Sequence, residues 1–227
     1  ILFYNCPSIK FENVIIKNVS NFKNDTLNLP SALTFLKSKV EIINSQFQSN
    51  QRGDDYINFY KSDFQISNSL FKNILADAID SDFSEGVIDN CSFINIGNDA
   101  VDTSGSSVNV TNSFFTMIDD KAFSVGENSL CLSQNNYFFN NGLGLVVKDG
   151  SELISCNDDF KNNSVDISLF QKKDFYDLPM LFIDNYLDSL NYLIEKKIKI
   201  ISLDSLRILR TKKVEDMMYG RFYGKSS

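Results

Sequence analysis

Residues 63–84 have the sequence DFQISNSLFKNILADAIDSDFS, and residues 85–106 (EGVIDNCSFINIGNDAVDTSGS) and 107–128 (SVNVTNSFFTMIDDKAFSVGEN) repeat its pattern. Residues 129–150 align with them as a fourth copy, without a gap. Self-similarity at a fixed period of about 20–50 residues marks a repeat protein in which each copy forms one turn of a coil. The 22-residue period therefore indicates a solenoid.

Four columns of the repeat keep one type of residue. The fourth position is apolar, the sixth an amide, the ninth aromatic and the seventeenth apolar. Because like residues lie on like residues in a stacked coil, the aromatic column predicts a stacked core and the amide column an internal ladder. The members, in that order of columns, are Ile66, Ile88, Val110 and Leu132; Asn68, Asn90, Asn112 and Gln134; Phe71, Phe93, Phe115 and Tyr137; Ile79, Val101, Phe123 and Leu145.

The local patterns identify the type of solenoid. Segments 64–67 and 108–111 alternate with period two, which is typical of short strands with one buried face, and turn-forming residues lie between them. The apolar columns are Ile, Val and Phe, so the leucine spacing of a leucine-rich repeat is absent. We expect an all-β, right-handed parallel β-helix of about seven or eight rungs.

The organisation of the chain follows from where the repeat weakens. The prediction is a parallel β-helix over residues 1–205, with regular rungs at about 40–173, an atypical last rung at 179–205, and a basic tail or cap at 206–227. The sequence begins at Ile1, in the middle of a rung. This predicts that the N-terminal side is truncated and that one or more further domains precede it.

Composition excludes several kinds of site and partner. The chain has no histidine, so imidazole triads and histidine metal sites are excluded. Its four cysteines lack CxxC spacing and fall in different columns, which predicts free thiols rather than a zinc site. The formal net charge of −7 argues against nucleic acid as a partner. No apolar run reaches about 18 residues, so no membrane span is expected in this chain.

The strongest polar cluster is acidic. Asp77 and Asp99 share one column of the repeat, and Asp80 and Asp102 share another, so these four carboxylates should lie on one face within two rungs. Oxygen ligands in this number suit Ca²⁺, which predicts a calcium or saccharide site. The alternative is structural, since Asp also favours turns in which it bonds its own backbone.

Lys121 takes the place of Asp in the Asp77 column, one rung after Asp99. Neighbouring carboxylates raise the pKa of a lysine, so we expect Lys121 to neutralise the column rather than to act as a general base. It remains a catalytic candidate together with the four aspartates. A second lysine, Lys148, is expected to be solvated.

Several turns carry a family resemblance. The chain resembles the β-helices of the pectate-lyase-like superfamily. It is most similar to β-helix regions of bacterial envelope proteins that occur with spore-coat-kinase-like (CotH-type) domains. The segments concerned are 81–84, 97–106, 120–127 and 147–150. The resemblance implies an extracellular or cell-envelope location. Enzymes of the superfamily act on polysaccharides, and Gly53-Asp54-Asp55 is similar to the acid pair of polygalacturonases, whose histidine motif is absent here.

Two functions from different classes are therefore expected. The first is a non-catalytic scaffold, or a surface that binds a glycan or an envelope protein. The second is a polysaccharide lyase, hydrolase or epimerase that uses the acidic residues, with Ca²⁺ as its only expected cofactor. An enzyme should present exposed aromatic side chains beside its carboxylates, for stacking on sugar rings.

Overall fold

The computed structural model describes residues 1–184 and 189–202, which form 25 strands and no α-helix. The first twelve strands are β1 (Leu2–Tyr4), β2 (Ile9–Glu12), β3 (Ile15–Ser20), β4 (Ser31–Leu36), β5 (Lys39–Ile43), β6 (Gln46–Arg52), β7 (Asp55–Tyr60), β8 (Asp63–Ser67), β9 (Leu70–Ile74), β10 (Asp77–Asp82), β11 (Glu85–Asp89) and β12 (Ser92–Ile96). The others are β13 (Val101–Ser104), β14 (Ser107–Thr111), β15 (Phe114–Ile118), β16 (Lys121–Gly126), β17 (Leu130–Gln134), β18 (Tyr137–Phe139), β19 (Leu143–Lys148), β20 (Glu152–Cys156), β21 (Asp159–Lys161), β22 (Val165–Phe170), β23 (Met180–Ile183), β24 (Tyr192–Ile194) and β25 (Lys199–Ser202).

Up to β22, strands that are three apart in the sequence pair with each other in parallel. They form three sheets, A, B and C, and the chain coils around these three walls. Sheet A begins with β1 and sheet B with β2, and each has nine strands. Sheet C begins with β3 and has seven strands. Seven rungs therefore contribute to all three walls, which confirms the parallel β-helix and its predicted size. The strands β23, β24 and β25 lie within residues 179–202, where an atypical rung is expected, whereas the predicted tail at 206–227 lies outside the described residues.

The interior is a column of stacked phenylalanine rings, as the repeat predicts. The Phe93 ring lies 4.9 Å from that of Phe71 and 4.8 Å from that of Phe115, centroid to centroid, with planes 8° and 2° apart. The three side chains are fully buried. The column continues with Phe47 at one end and Phe138 at the other. Tyr137 does not belong to it: Tyr137 pairs with Phe114 on the outer side of sheet C.

The gapless alignment of the fourth copy is wrong by one residue. Ser107 pairs with Leu130, so this rung has 23 residues between equivalent positions. The extra residue is accommodated where Glu127 and Asn128 both adopt positive φ, at 54° and 61°. As a result Leu132 is half-buried on the outer side, and Ser133 faces the interior in its place. The 22-residue register returns in β19, where Leu145 pairs with Phe123 as predicted.

The amide column is external, contrary to expectation. Asn68, Asn90 and Asn112 are exposed, and each has φ between 50° and 51°. The left-handed conformation, which Asn tolerates better than most residues, explains the column at this corner between sheets B and C. The Asn90 amide does donate to Asn68 Oδ1 at 2.7 Å, so a ladder exists, but on the surface.

The internal polar ladder consists of serines, which the repeat analysis did not single out. At the corner between sheets A and B, the backbone N–H of each rung donates to the serine hydroxyl of the next, at 3.0 to 3.1 Å. These hydroxyls are buried, so each satisfies an amide that would otherwise lose its hydrogen bond to water. The series runs Ser38, Ser62, Ser84, Ser106, Ser129 and Ser151.

Replacing Asn90 by Ala should lower the free energy of unfolding by about 1–2 kcal/mol, the usual cost of a left-handed conformation in a residue with a Cβ. Asn90→Gly is the matched control and should be close to neutral, because glycine adopts this conformation freely. Chemical unfolding of both variants measures the difference. Equal losses in the two variants would instead assign the effect to the side-chain amide.

Candidate functional site

The predicted acidic residues all lie along sheet A. Asp77 and Asp80 are in β10, Asp102 is in β13, Asp99 precedes β13, and Lys121 begins β16. Parallel pairing places Asp102 directly beside Asp80. Successive side chains of a strand point to opposite faces, so Asp80 and Asp102 face outward while their neighbours fill the core. We call these five residues the acidic face.

Lys121 is the centre of a buried ion-pair cluster. Its ammonium lies 3.1 Å and 3.3 Å from the two carboxylate oxygens of Asp99 and also contacts Asp120 Oδ2. The side chain of Lys121 is 11% exposed and that of Asp99 is 4% exposed. Burial alone would lower the pKa of Lys121, but Asp99 and Asp120 outweigh it and raise that pKa. The ion pair with Asp99 agrees with the expectation that Lys121 offsets negative charge in this column.

The pKa of Asp120 is also raised, but here burial is the cause and the ion pair opposes it. Burial, together with the charge of Asp99, raises the pKa of Asp120 to about 6, although the Lys121 ammonium opposes this shift. One ammonium therefore serves two buried carboxylates. When both carboxylates are ionised, the Lys121 ammonium offsets one of their two negative charges.

The remaining carboxylates are also held by hydrogen bonds within the wall. Asp77 Oδ1 accepts from the backbone N–H of Asp99 at 2.8 Å and from the Asn98 amide. The Asn58 amide donates to Asp80 Oδ2 at 3.0 Å and to Asp82 Oδ2 at 2.9 Å, and so joins the two carboxylates. Burial, with the nearby charges of other aspartates, raises the pKa of Asp80 well above its ordinary value.

Lys148 is buried, and the expectation that it is solvated is wrong. Only 5% of the residue is exposed, and its ammonium lies 3.4 Å from Asp102 Oδ1. The lysine reaches this carboxylate because Gly126 lies in between and has no side chain: a Cβ there would lie 2.5 Å from Lys148 Cε. Lys148 therefore contacts the acidic face through Asp102. The two residues are 46 positions apart, and the alignment of the repeats does not predict this contact.

The structure thus brings the predicted residues together, but as pairs rather than as one open cluster. Asp99 and Lys121 form one group, and Asp80 and Asp102 lie in register beside it. Asp55, which was compared with the acid pair of polygalacturonases, pairs with Asp77 one rung away. Within residues 1–184 and 189–202, no group of three or more Asp, Glu, Cys or His residues has a placement that could hold a metal ion. The calcium site stays a prediction.

A half-exposed aromatic patch lies on a different wall. Phe114, Tyr137 and Phe139 are on the outer side of sheet C, where the Phe114 and Tyr137 rings stack at 5.5 Å and the Tyr137 and Phe139 rings at 6.0 Å. The planes in these two pairs differ by 11° and 19°. The sequence signal was the run Tyr137-Phe138-Phe139, in which alternation allows only the middle ring to be internal.

Comparison with protein families agrees with the three-walled coil. The model described as "Right handed beta helix region" matches residues 31–176, more than half of the chain. The chain belongs to the right-handed β-helix family. Its rungs β4 to β21, which carry both the acidic face and the aromatic patch, lie inside the matched range. Neither the curated proteins nor the solved structures gave a match.

Two further expectations on the β-helix can be compared with the structure. The four cysteines, Cys6, Cys91, Cys131 and Cys156, are free thiols as predicted. Among the described residues, no helix is long and apolar enough to cross a bilayer.

Replacing Asp80 by Asn should stabilise the β-helix at pH 7. The pKa of Asp80 is raised in the folded state, so its contribution to stability is greatest when it is protonated and is lost as the pH rises through that folded pKa. We expect a melting temperature higher by about 2–4 °C, which is the effect of about 1 kcal/mol on a chain of this size. The gain should disappear near pH 4, where an ordinary Asp also becomes protonated.

Asp63→Asn is the matched control for this prediction, since Asp63 is exposed on sheet B. It should change stability by no more than about 0.5 kcal/mol. Thermal unfolding of the same proteins, with calcium and with a chelator, tests whether the predicted calcium ion binds. A calcium-dependent rise that Asp80→Asn with Asp102→Asn abolishes would support a metal site. A melt that does not depend on calcium, with a stabilised variant, would contradict it.

Proposed function

We propose that this β-helix is a non-catalytic module, a rigid scaffold that binds a glycan or a protein at its surface. The observation that carries the proposal is the pairing of Lys121 with Asp99 and Asp120. A lysine that acts as a base must lose its proton near neutral pH, which requires a lowered pKa. The pKa of Lys121 is raised, so the residue is suited to holding the wall together.

The position of the aromatic patch supports a binding role. Phe114 and Tyr137 present nearly parallel rings one rung apart, and Phe139 lies beside Tyr137 on the same strand, an arrangement on which sugar rings could stack. The patch is on sheet C and the acidic face is on sheet A. The rings therefore do not line a groove with the carboxylates, as they would in an enzyme that both grips and cleaves a polysaccharide.

Binding is tested with the full chain on a panel of immobilised polysaccharides and oligosaccharides. Tyr137→Ala should weaken any glycan binding by at least about tenfold, equivalent to about 1.4 kcal/mol. The matched control is Phe83→Ala, since Phe83 is 58% exposed but lies at a different corner of the β-helix. Binding that is equal in the parent and in Tyr137→Ala would contradict a role of the patch. Binding to no glycan would leave a scaffold or protein-binding module as the surviving form of the proposal.

A polysaccharide-active enzyme is the second candidate, favoured by one observation. Asp80 has a raised pKa and lies beside Asp82 and Asp102, and a pair of carboxylates with different pKa values can divide the roles of acid and base. The test is release of reducing ends or unsaturated products from polyuronides and neutral glycans. Activity that Asp80→Asn abolishes, while the protein stays folded, would replace the non-catalytic proposal.

The proposed location, outside the cytoplasm or in a bacterial cell envelope, rests on the resemblance of its turns to β-helix regions of envelope proteins. It is tested in the source cells by protease treatment of intact and lysed cells, followed by detection of the chain with an antibody. Degradation in intact cells supports the proposal. Protection until lysis, with the protease shown to cleave a known surface protein, contradicts it.

A further inference from the structure

The corner between sheets A and B carries two stacked lysines near the N-terminal end of the coil. Lys37 follows β4 and Lys61 follows β7, and the last residues of these strands, Leu36 and Tyr60, are paired. The two lysines therefore occupy equivalent positions in adjacent rungs, about 4.8 Å apart along the coil. Their φ angles are 49° and 50°, so both side chains leave the corner with the same backbone conformation.

A third lysine lies beside this pair, around a surface cavity. Lys39 begins β5, two residues after Lys37. The side chains of Lys37, Lys39 and Lys61 are exposed and line a cavity of about 460 Å³. Its lining also includes Asn5 and one carboxylate, that of Asp63, which is paired in register with Lys39.

The positive charges of these three lysines are not paired within the protein. Among residues 1–184 and 189–202, none of the three forms an ion pair with a carboxylate, whereas Lys121 and Lys148 on sheet A each have an aspartate partner. The Lys61 ammonium lies 5.4 Å from the centre of the Tyr60 ring, which helps to hold it at the corner. Like charges in register repel one another unless they share a counter-ion, so the cluster is suited to an anion.

We propose that this cavity binds the phosphate group of a phosphorylated sugar. An ammonium is a compact point charge that suits phosphate, whereas a planar guanidinium is the better partner for a single carboxylate. The lining carries three positive charges and the negative charge of Asp63, so a phosphate monoester, with about −1.5 to −2 at pH 7, balances it. A carboxylate would leave it positive. Glu41, which follows Lys39 on β5, is already paired with Lys10 at 3.4 Å.

The size and the polar lining of the cavity indicate that the phosphate is carried by a larger group. Sites for small molecules have volumes of about 300–1,000 Å³, and this cavity falls within that range. The Asn5 amide can donate and accept hydrogen bonds, and the Asp63 carboxylate can accept them, as sugar hydroxyls require. The site is at the corner of sheets A and B, so the inference does not rest on glycan binding by the aromatic patch of sheet C.

Isothermal titration of the full chain tests the ligand class. The probes are three hexose 6-phosphates (of glucose, mannose and N-acetylglucosamine), inorganic phosphate, glucose and galacturonate. We expect at least one hexose 6-phosphate to bind with a Kd of about 1 mM or tighter. Inorganic phosphate, glucose and galacturonate should each bind at least about tenfold more weakly, because each lacks either the phosphate or the sugar.

Two variants test the position of the site. Lys37→Gln and Lys61→Gln remove one charge each from the exposed corner and should each weaken binding of the hexose phosphate at least about tenfold. Lys72→Gln is the matched control, since Lys72 is an exposed lysine on sheet C, and it should leave the affinity unchanged. Thermal unfolding without ligand checks that each variant is folded.

Four results would overturn the proposal. They are no binding of any hexose 6-phosphate, binding that Lys37→Gln and Lys61→Gln leave unchanged, equal affinity for inorganic phosphate, and equal affinity for galacturonate. The third would show that the cavity holds no sugar, and the fourth that it does not prefer phosphate. Tyr137→Ala should not change the affinity for a hexose phosphate, so failure of this proposal and failure of the glycan patch are distinguishable.

Discussion

Phe93→Ala is expected to lower the free energy of unfolding by about 3–5 kcal/mol, the usual cost of removing a fully buried aromatic side chain. Phe93 has no exposed surface and stacks on Phe71 and Phe115 with centroids 4.9 Å and 4.8 Å away. The loss includes the transfer of the ring to water and a cavity that the two flanking rings cannot close, because each is held by its own rung.

Chemical unfolding followed by circular dichroism measures this loss. Phe175→Ala is the matched control, since Phe175 is 75% exposed and the same atoms are removed from the surface. The control should cost no more than about 1 kcal/mol. A similarly small loss for Phe93→Ala would mean that the aromatic column does not carry the stability of the core.

Lys121→Met is expected to cost about 3–5 kcal/mol at pH 7, the usual result of removing one partner from a buried ion pair. The substitution keeps the length and the apolar stem of the side chain but leaves Asp99 and Asp120 without their common ammonium. The cost should be smaller near pH 4, because Asp120, whose pKa is raised to about 6, is then protonated and less unpaired charge stays buried. Thermal or chemical unfolding at the two pH values measures the difference.

The control for this prediction is Lys10→Met. Lys10 pairs with Glu12 and Glu41 at 3.2 Å and 3.4 Å, but the side chains concerned are 46 to 48% exposed. Exposed pairs contribute at most about 1 kcal/mol. Adding Asp99→Asn and Asp120→Asn to Lys121→Met should recover part of the loss, since it removes the charges that the lysine neutralised. No recovery, with no dependence on pH, would show that Lys121 acts through packing alone.

The period of the sequence was sufficient to predict the walls, the core and the Lys121–Asp99 contact. A 22-residue repeat in a parallel coil places each residue beside its counterpart, so Phe93 must lie on Phe71 and Lys121 must lie beside Asp99. To predict contacts of this kind, it is enough to know the period and which side chains of each strand point inward.

Three predictions were wrong for physical reasons that an alignment of the repeats does not show. A single extra residue at Glu127-Asn128 shifts β17 and β18, so Tyr137 moved outward and Phe138 took its place. The regular Asn column predicted an internal ladder, but its regularity reflects the left-handed backbone conformation of these residues. Lys148 was misplaced because its contact with Asp102 crosses two rungs and depends on a missing side chain at Gly126.

The serine corner has a consequence for how such a chain can change in length. Each rung brings one amide that needs an acceptor and one hydroxyl that supplies an acceptor to the rung before it. A duplicated 22-residue unit inserted next to Ser84 would therefore carry its own donor and acceptor, and both neighbouring corners would remain complete. Growth of the gene by whole repeats leaves every amide of this corner with its acceptor, whereas the one extra residue of the β17 rung is absorbed where Glu127 and Asn128 adopt positive φ.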